Sequence, residues 1–537
     1  MTTSRRRETA AAGAAAAVIL SGCAGVAEVA GPAAPTAPTG AITVARCPAA
    51  RPLVPSDTAE LCGMRVLDAV TARLVRYDRA TGRALNDLAA SIATKDAQKF
   101  TITLRSNARY SDGTPVRAAD FVRAWNRGAY GPNKQANQFL FQPIAGFHKV
   151  AGKKPRTKTL SGLKVTGERT FTVKLSRPGS TFPQRLGMLA FAPLPPSFFA
   201  DNGAAFQRRP VGAGPYRVES GSPSGGFVLS ANPGYTGPTP PSVGRVTLRP
   251  YTDHSEAWAD LLAGDVDLMD EVSLLTPQVY ERQLGDRVAR APSMALQMIW
   301  FPSPKADRSY GSAKLRRALS LAIDRNAVVR AVWGRGAGAA TGWSPPGAFG
   351  TDRKGCGPAC AYNPKQAKKL FKEAGGHAAP LRISFHAGAD HEAWVKAVCR
   401  SIQSTLGVTC KPTAVRDFAT FRSRVENRKQ TGMFRAGWLA DYPSLENFLT
   451  PQFASGAVVN DGDFSDAKFD TLLAKAARTA DPAKANAVYR QAERRLRTLM
   501  PAIPLYYPVI AGGWSTDIAS ASLGVFGIFD LTTIELA

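Results

Sequence analysis

Between Arg435 and Pro443 the chain gathers a base, two aromatics and an acid, Arg435, Trp438, Asp441 and Tyr442, within eight positions and beside Gly437. A guanidinium fork, a carboxylate and two rings in so short a stretch suit the capture of a charged organic ligand by hydrogen bonds and stacking. Each residue also has an ordinary alternative. Asp441 suits a helix cap or turn acid, Arg435 one half of a structural ion pair, and Tyr442 simple packing. Signs of covalent chemistry are weaker. The sequence holds no Gly-x-Ser-x-Gly, no His-Glu-x-x-His, no Walker loop and no convincing Cys-His pairing, so a cryptic hydrolase would need a constellation that sequence does not display. The five histidines are His148, His254, His377, His386 and His391; the last two stand five apart, a poor spacing for one helix face, and each reads as a surface or core residue. No metal or cofactor is expected. Gly334, Gly336 and Gly338 follow a helical stretch and not a strand, which makes them loop glycines rather than a dinucleotide fingerprint.

Cysteine placement points to an exported chain. Arg5, Arg6 and Arg7 precede an apolar stretch from Ala10 to Leu20 and then Leu20-Ser21-Gly22-Cys23, the order of a leader over residues 1–22 with a small-residue cleavage site. The Leu-Ser-Gly-Cys run resembles the bacterial lipobox, in which the thiol takes a diacylglyceryl group. Cys23 is thus the expected lipidation site and new N-terminus, with two acyl chains enough for stable anchoring at the outer face of the cell membrane. The arginine run leaves Sec and twin-arginine export both open. Residues 23–41, mostly Ala, Gly, Pro and Thr, read as a flexible stalk. Six cysteines remain, and their clustering suggests local pairs in an oxidising space: Cys47 with Cys62, Cys356 with Cys360, Cys399 with Cys410. Zinc is the weaker reading for them.

A formal net charge of +27 first suggests a nucleic-acid partner. The positive residues are dispersed, however, with one short cluster from Lys153 to Lys158, and export argues against that partner. A solvated surface near anionic lipid heads accounts better for the balance.

Short alternating runs and amphipathic stretches must position these groups. Phe100–Leu104 and Thr170–Leu175 alternate as strands. Ala118–Arg127 carries Phe121, Val122 and Trp125 at helical spacing after Thr114-Pro115, Ala313–Val332 reads as one helix, and Asn363-Pro364 opens another that Gly375-Gly376 closes. The alternation marks an α/β protein, and the length calls for two or three lobes.

Six phrases in order resemble one family, the large solute-binding proteins of peptide and nickel ABC importers. They are Asn107–Phe121 with its Ser111-Asp112-Gly113 turn, Pro210–Tyr216, the arginine-led Leu315–Arg325, Tyr362–Leu370, Phe434–Pro443 and Ile503–Tyr507. The resemblance implies a two-lobed fold of periplasmic-binding-protein type II with an extra inserted domain. Mapped here, residues 1–22 are the signal peptide and 23–41 the lipidated stalk; 42–82, 206–300 and 507–537 form domain I, 83–205 the insert, and 301–506 the second lobe. It further implies a monomer without enzymatic activity that hands peptides to ABC permease subunits. Asp441 then anchors the peptide α-ammonium, Trp438 lines a side-chain pocket, Arg435 reaches a ligand carboxylate and Tyr442 stacks or packs. A nickel chelate, haem, an oligosaccharide, or a sensing role in place of import are the alternatives within the same fold.

Overall fold

Alternation decides the first sheet. In Lys99–Leu104 the side chains of Phe100, Ile102 and Leu104 are buried while Lys99 and Thr101 face water, so one face must be covered. The computed structural model, which describes residues 38–49, 52–272, 277–388 and 390–537, builds this strand into a four-stranded antiparallel sheet. The leader, Cys23 and the stalk up to residue 37 lie outside the described residues. The sheet runs Ala89–Thr94, Lys99–Leu104, Thr170–Lys174, Leu163–Gly167 in space. Helix Ala118–Ala129 covers its inner face, with Phe121 stacked on Phe171 at 5.6 Å and Trp125 edge-on to the same ring. This helix starts three residues after Thr114-Pro115, because the Asp120 carboxylate accepts the Arg117 backbone N–H at 2.9 Å and fixes the first turn there.

Two glycine phrases act through backbone geometry. Gly113 has φ +85° while Asp112 Oδ1 accepts from Thr114 N at 2.9 Å, which makes the turn. Gly212 and Gly214 press on the end of helix Leu61–Val70: a Cβ on Gly212 would stand 2.0 Å from the Val70 carbonyl oxygen.

A 12-stranded mixed sheet organises the rest. Its axis is Ala502–Trp514, a 13-residue strand. The first part of that strand pairs antiparallel with Ala295–Trp300 and Ala337–Ala339; the later part pairs with Val288–Pro292 and Leu268–Met269. Beside it the chain crosses a second time through Ser293, whose N–H donates to Pro508 O at 2.9 Å. Separate cores flank these two crossings. One runs from Met294 to Tyr507. The other joins buried residues between Ile42 and Leu248, those of 83–205 included, to the C-terminal residues up to Ile534 in a single cluster. A smaller cluster surrounds Trp258 and Tyr280.

The expected helix over 313–332 is two helices, Ala313–Leu321 and Arg325–Trp333. Asp324 breaks the run by capping the second, accepting from Ala327 N at 2.9 Å. Arg325 then turns inward and donates to Pro504 O, Ser320 O and Cys360 O. The glycines that follow are not all loop. Gly334 (φ +58°) ends the helix, and Gly338 lies within strand Ala337–Ala339. Helix Pro364–Glu373 starts on an Asn363 cap and is followed by Gly375 and Gly376, both at positive φ. Disulfides join Cys47 to Cys62, Cys356 to Cys360 and Cys399 to Cys410.

Candidate functional site

Strand Met433–Leu439 sits between Ala295–Trp300, antiparallel, and Leu381–His386, parallel. Met433 and Phe434 are buried at its start, and the strand then surfaces: Gly437 is exposed, Trp438 half-exposed and Leu439 68 % exposed. The phrase singled out in the sequence therefore runs from core to surface along one strand. Its last acid lies just past the strand end.

Asp441 is half-buried, and its surroundings exclude the capping role. Ser444 caps helix Leu445–Phe453, accepting from Glu446 N. The Asp441 carboxylate instead accepts from the Asn447 amide at 3.3 Å, and no cation pairs with it among the described residues. Burial pushes its pKa up, against the Asn447 hydrogen bond and the field of Arg185. Asn447 also accepts from Asp441 N at 3.0 Å and from Trp438 Nε1 at 3.2 Å, so one buried amide fixes both the acid and the ring.

Arg435 has no carboxylate partner among the described residues either. Its Nη2 donates to His386 Nδ1 at 2.8 Å, its guanidinium lies over Phe418 and Phe421 at 5.6 and 5.5 Å, and its Nε is buried without a hydrogen-bond partner. Burial and the neighbouring Arg422 lower its pKa. Since a guanidinium can only donate, His386 must accept at Nδ1 and carry its proton on Nε2. His391 is held alike by Trp394 Nε1 at 3.2 Å, and the two imidazoles meet edge to face at 4.8 Å.

Tyr442 is not brought to this surface. It is 0 % exposed; its hydroxyl donates to the Glu446 carboxylate, and Arg185 stacks on its ring at 4.5 Å. Thr181 Oγ1 also donates to Glu446, at 3.1 Å, and Gln184 Nε2 donates to Pro443 O at 3.1 Å. Burial acts against the Arg185 charge, yet Tyr442, Glu446, Asp441 and Tyr489 around it keep its pKa raised.

Asn447, Glu446 and Arg185 escaped the sequence reading, and His386 was read only as a surface or core residue. Glu446 and Asn447 lie five and six residues after Asp441 at a helix entry, whereas His386 meets the site through strand pairing and Arg185 from far away in the chain.

Comparison with known proteins places this geometry in a family. The periplasmic oligopeptide-binding protein OppA of Escherichia coli K12 is 28 % identical over 446 residues, 80 % of each chain. The solved murein tripeptide-binding protein MppA in its unliganded open form superposes with a TM-score of 0.83 at 22 % identity, covering 93 % of this chain and 97 % of its own. A further structure of MppA, from Escherichia coli, gives 0.65 at the same identity, with 93 % and 99 % covered. Residues 84–460 match the sequence family described as bacterial extracellular solute-binding proteins, family 5 Middle, and with that match over most of its length the chain belongs to the bacterial extracellular solute-binding proteins of family 5.

Proposed function

We propose that this chain captures peptides between its two lobes on the outer side of the cell membrane, held there by a lipid on Cys23, and passes them to the permease subunits of an ABC importer. The hinge is the pair of crossings at Ser293 and Pro508, with domain I over 42–82, 206–300 and 507–537, the insert over 83–205 and the second lobe over 301–506. Its resting state is open, a reading supported by the superposition on MppA in its unliganded open form.

The observation that carries this reading is a pair of opposite charges left without ionic partners among the described residues, one on a surfacing strand and one just past its end: Arg435, whose side-chain hydrogen bond goes to an imidazole, and Asp441, whose carboxylate is bonded by an amide. A peptide supplies both missing partners, its α-ammonium for Asp441 and its carboxylate for Arg435 and His386. Closure of the lobes removes water and strengthens both contacts. Gly437 bears no side chain between them, so a peptide backbone can approach the strand; a Cβ there would also press to 3.2 Å on Gln297 Oε1. Trp438 and Leu439 offer an apolar floor to side chains of many kinds. A divalent cation is the poorer guest, because at His386 it would face the Arg435 guanidinium across 2.8 Å.

Native mass spectrometry of protein purified without denaturation should give a ladder of peptide masses, while one metal- or sugar-sized adduct would replace the peptide. In calorimetry, Asp441→Ala should cost a free-amine peptide about 2 to 5 kcal/mol and leave its N-acetylated form unchanged. Equal affinity of both proteins for the free amine removes Asp441 from the site.

A further inference from the structure

The positive charge of the chain is unevenly shared. Residues 83–205 hold 19 Lys and Arg against 6 Asp and Glu, whereas 42–82, 206–300 and 507–537 together hold 14 against 17. Within the insert, the outer face of the four-stranded sheet sets Lys99 directly opposite Lys174 and Thr101 opposite Thr172, with Lys164 on the other side of Thr172. All three lysines are exposed. Like charges facing each other across a strand pair destabilise a sheet, and among the described residues no acid forms an ion pair with these lysines. Asp87 and Asp120 are buried. Asp96, Asp112 and Asp201 bind the backbone of their own turns. Glu168 pairs with Arg117 at 3.2 Å, the one ion pair of residues 83–205 among the described residues. The basic loop with Lys153, Lys154 and Arg156 leads straight into the edge strand Leu163–Gly167 of the same sheet.

We propose that this face is a docking surface for anionic phospholipid headgroups, which turns the insert toward the membrane. Its composition favours that partner: the face presents Lys and Thr side chains, and its outward positions carry no aromatic ring on which a nucleobase would stack. Laterally mobile headgroups supply the counter-charge that the sheet lacks. The inference is independent of the peptide site and of the lipid on Cys23, so its failure leaves both of those readings untouched.

The test uses the full chain with Cys23→Ala, so that no acyl group confers binding. At low ionic strength it should sediment with vesicles of equimolar phosphatidylglycerol and phosphatidylcholine and not with phosphatidylcholine alone, and added salt should release it as the Debye length shortens. Replacing Lys99, Lys164 and Lys174 together by Thr should lower the partition by about 100-fold, at roughly fivefold per basic residue. Thr suits an exposed strand, so this variant should melt no lower than its parent and keep its peptide affinity. Equal sedimentation with neutral vesicles, or an unchanged partition of the triple variant, overturns the proposal. Binding of soluble polyphosphate without any vesicle binding overturns it as well, and assigns the face to a soluble polyanion.

Discussion

Asp441 and Glu446 are acids five residues apart at the entry to one helix, and they end in opposite circumstances. Glu446 is 7 % exposed and accepts hydrogen bonds from Tyr442 and Thr181, with the Arg185 charge close by. Asp441 stands nearer the surface with one amide for company and the field of the same Arg185, with no ion pair among the described residues. A buried acid costs free energy unless its hydrogen-bonding capacity is met. Where the protein meets that need itself, the acid fastens structure: Glu446 ties Thr181 to the start of helix Leu445–Phe453. Where it does not, and solvent or a guest can reach the group, the acid awaits a partner. Both conditions are required, as Glu493 demonstrates. Its Oε2 also lacks a partner, but it is 0 % exposed and no guest can reach it.

Glu446→Ala offers the hardest strike at this comparison. It strands the Tyr442 and Thr181 hydroxyls, two bonds to a charged acceptor, and should lower the unfolding free energy by about 4 kcal/mol in urea titration. Peptide affinity should stay within about threefold, a difference under 1 kcal/mol. Lost affinity at unchanged stability would reverse the roles of the two acids. Glu493 comes next. Burial pushes its carboxyl up to about 7 despite the Trp343 N–H at 3.0 Å. Between the unfolded value of 4.5 and about 7 the folded chain keeps a proton that the unfolded chain has released, so stability falls as pH rises through that window and levels off above it. Glu493→Gln should abolish this slope and gain about 3 kcal/mol above the window, with no gain below it. Melting curves across pH read the difference.

What could be read from the sequence follows how local the physics is. The Ser111-Asp112-Gly113 turn was legible because a positive φ is written into residue type. The α/β class and the strands of the insert were legible as alternation. Asp324 was misjudged because an N-cap acid inside an apolar periodic run also fits the polar face of one longer helix. Asp441 and Trp438 were legible only as a cluster of types, since the amide of Asn447 that joins them carries no mark of that task. Tyr442 looked as available as its neighbours; its burial depends on Thr181 and Arg185, more than 250 residues away in the chain, which no local pattern encodes. His386 reaches Arg435 through strand pairing, 49 residues apart.

That last contact sets the smallest effect. Burial and the Arg435 charge lower the pKa of His386, and burial, Arg435 and His386 bring His391 down to about 4. Protonation at either Nδ1 would also break the bond it receives, from Arg435 or from Trp394. Without ligand, both imidazoles therefore take up a proton less readily in the fold than in the unfolded chain, which protonates below 6.5, so stability declines as pH drops from there, for His391 toward about 4; for His391, discounted for its solvent contact, the loss is roughly 1 kcal/mol. A ligand carboxylate at Arg435 reverses the balance, since an anion favours imidazolium. The ratio of affinities for a free-acid peptide and its C-terminal amide should thus rise as pH falls from about 7 to about 5, and because Asp441 meets the amine of both peptides, its own protonation cancels from the ratio. Arg435→Met should flatten the rise by removing the carboxylate's main partner, and shift the His386 ring resonances to a higher titration midpoint in NMR. A ratio independent of pH in the parent protein would leave His386 as a packing residue and confine the carboxylate contact to Arg435 alone.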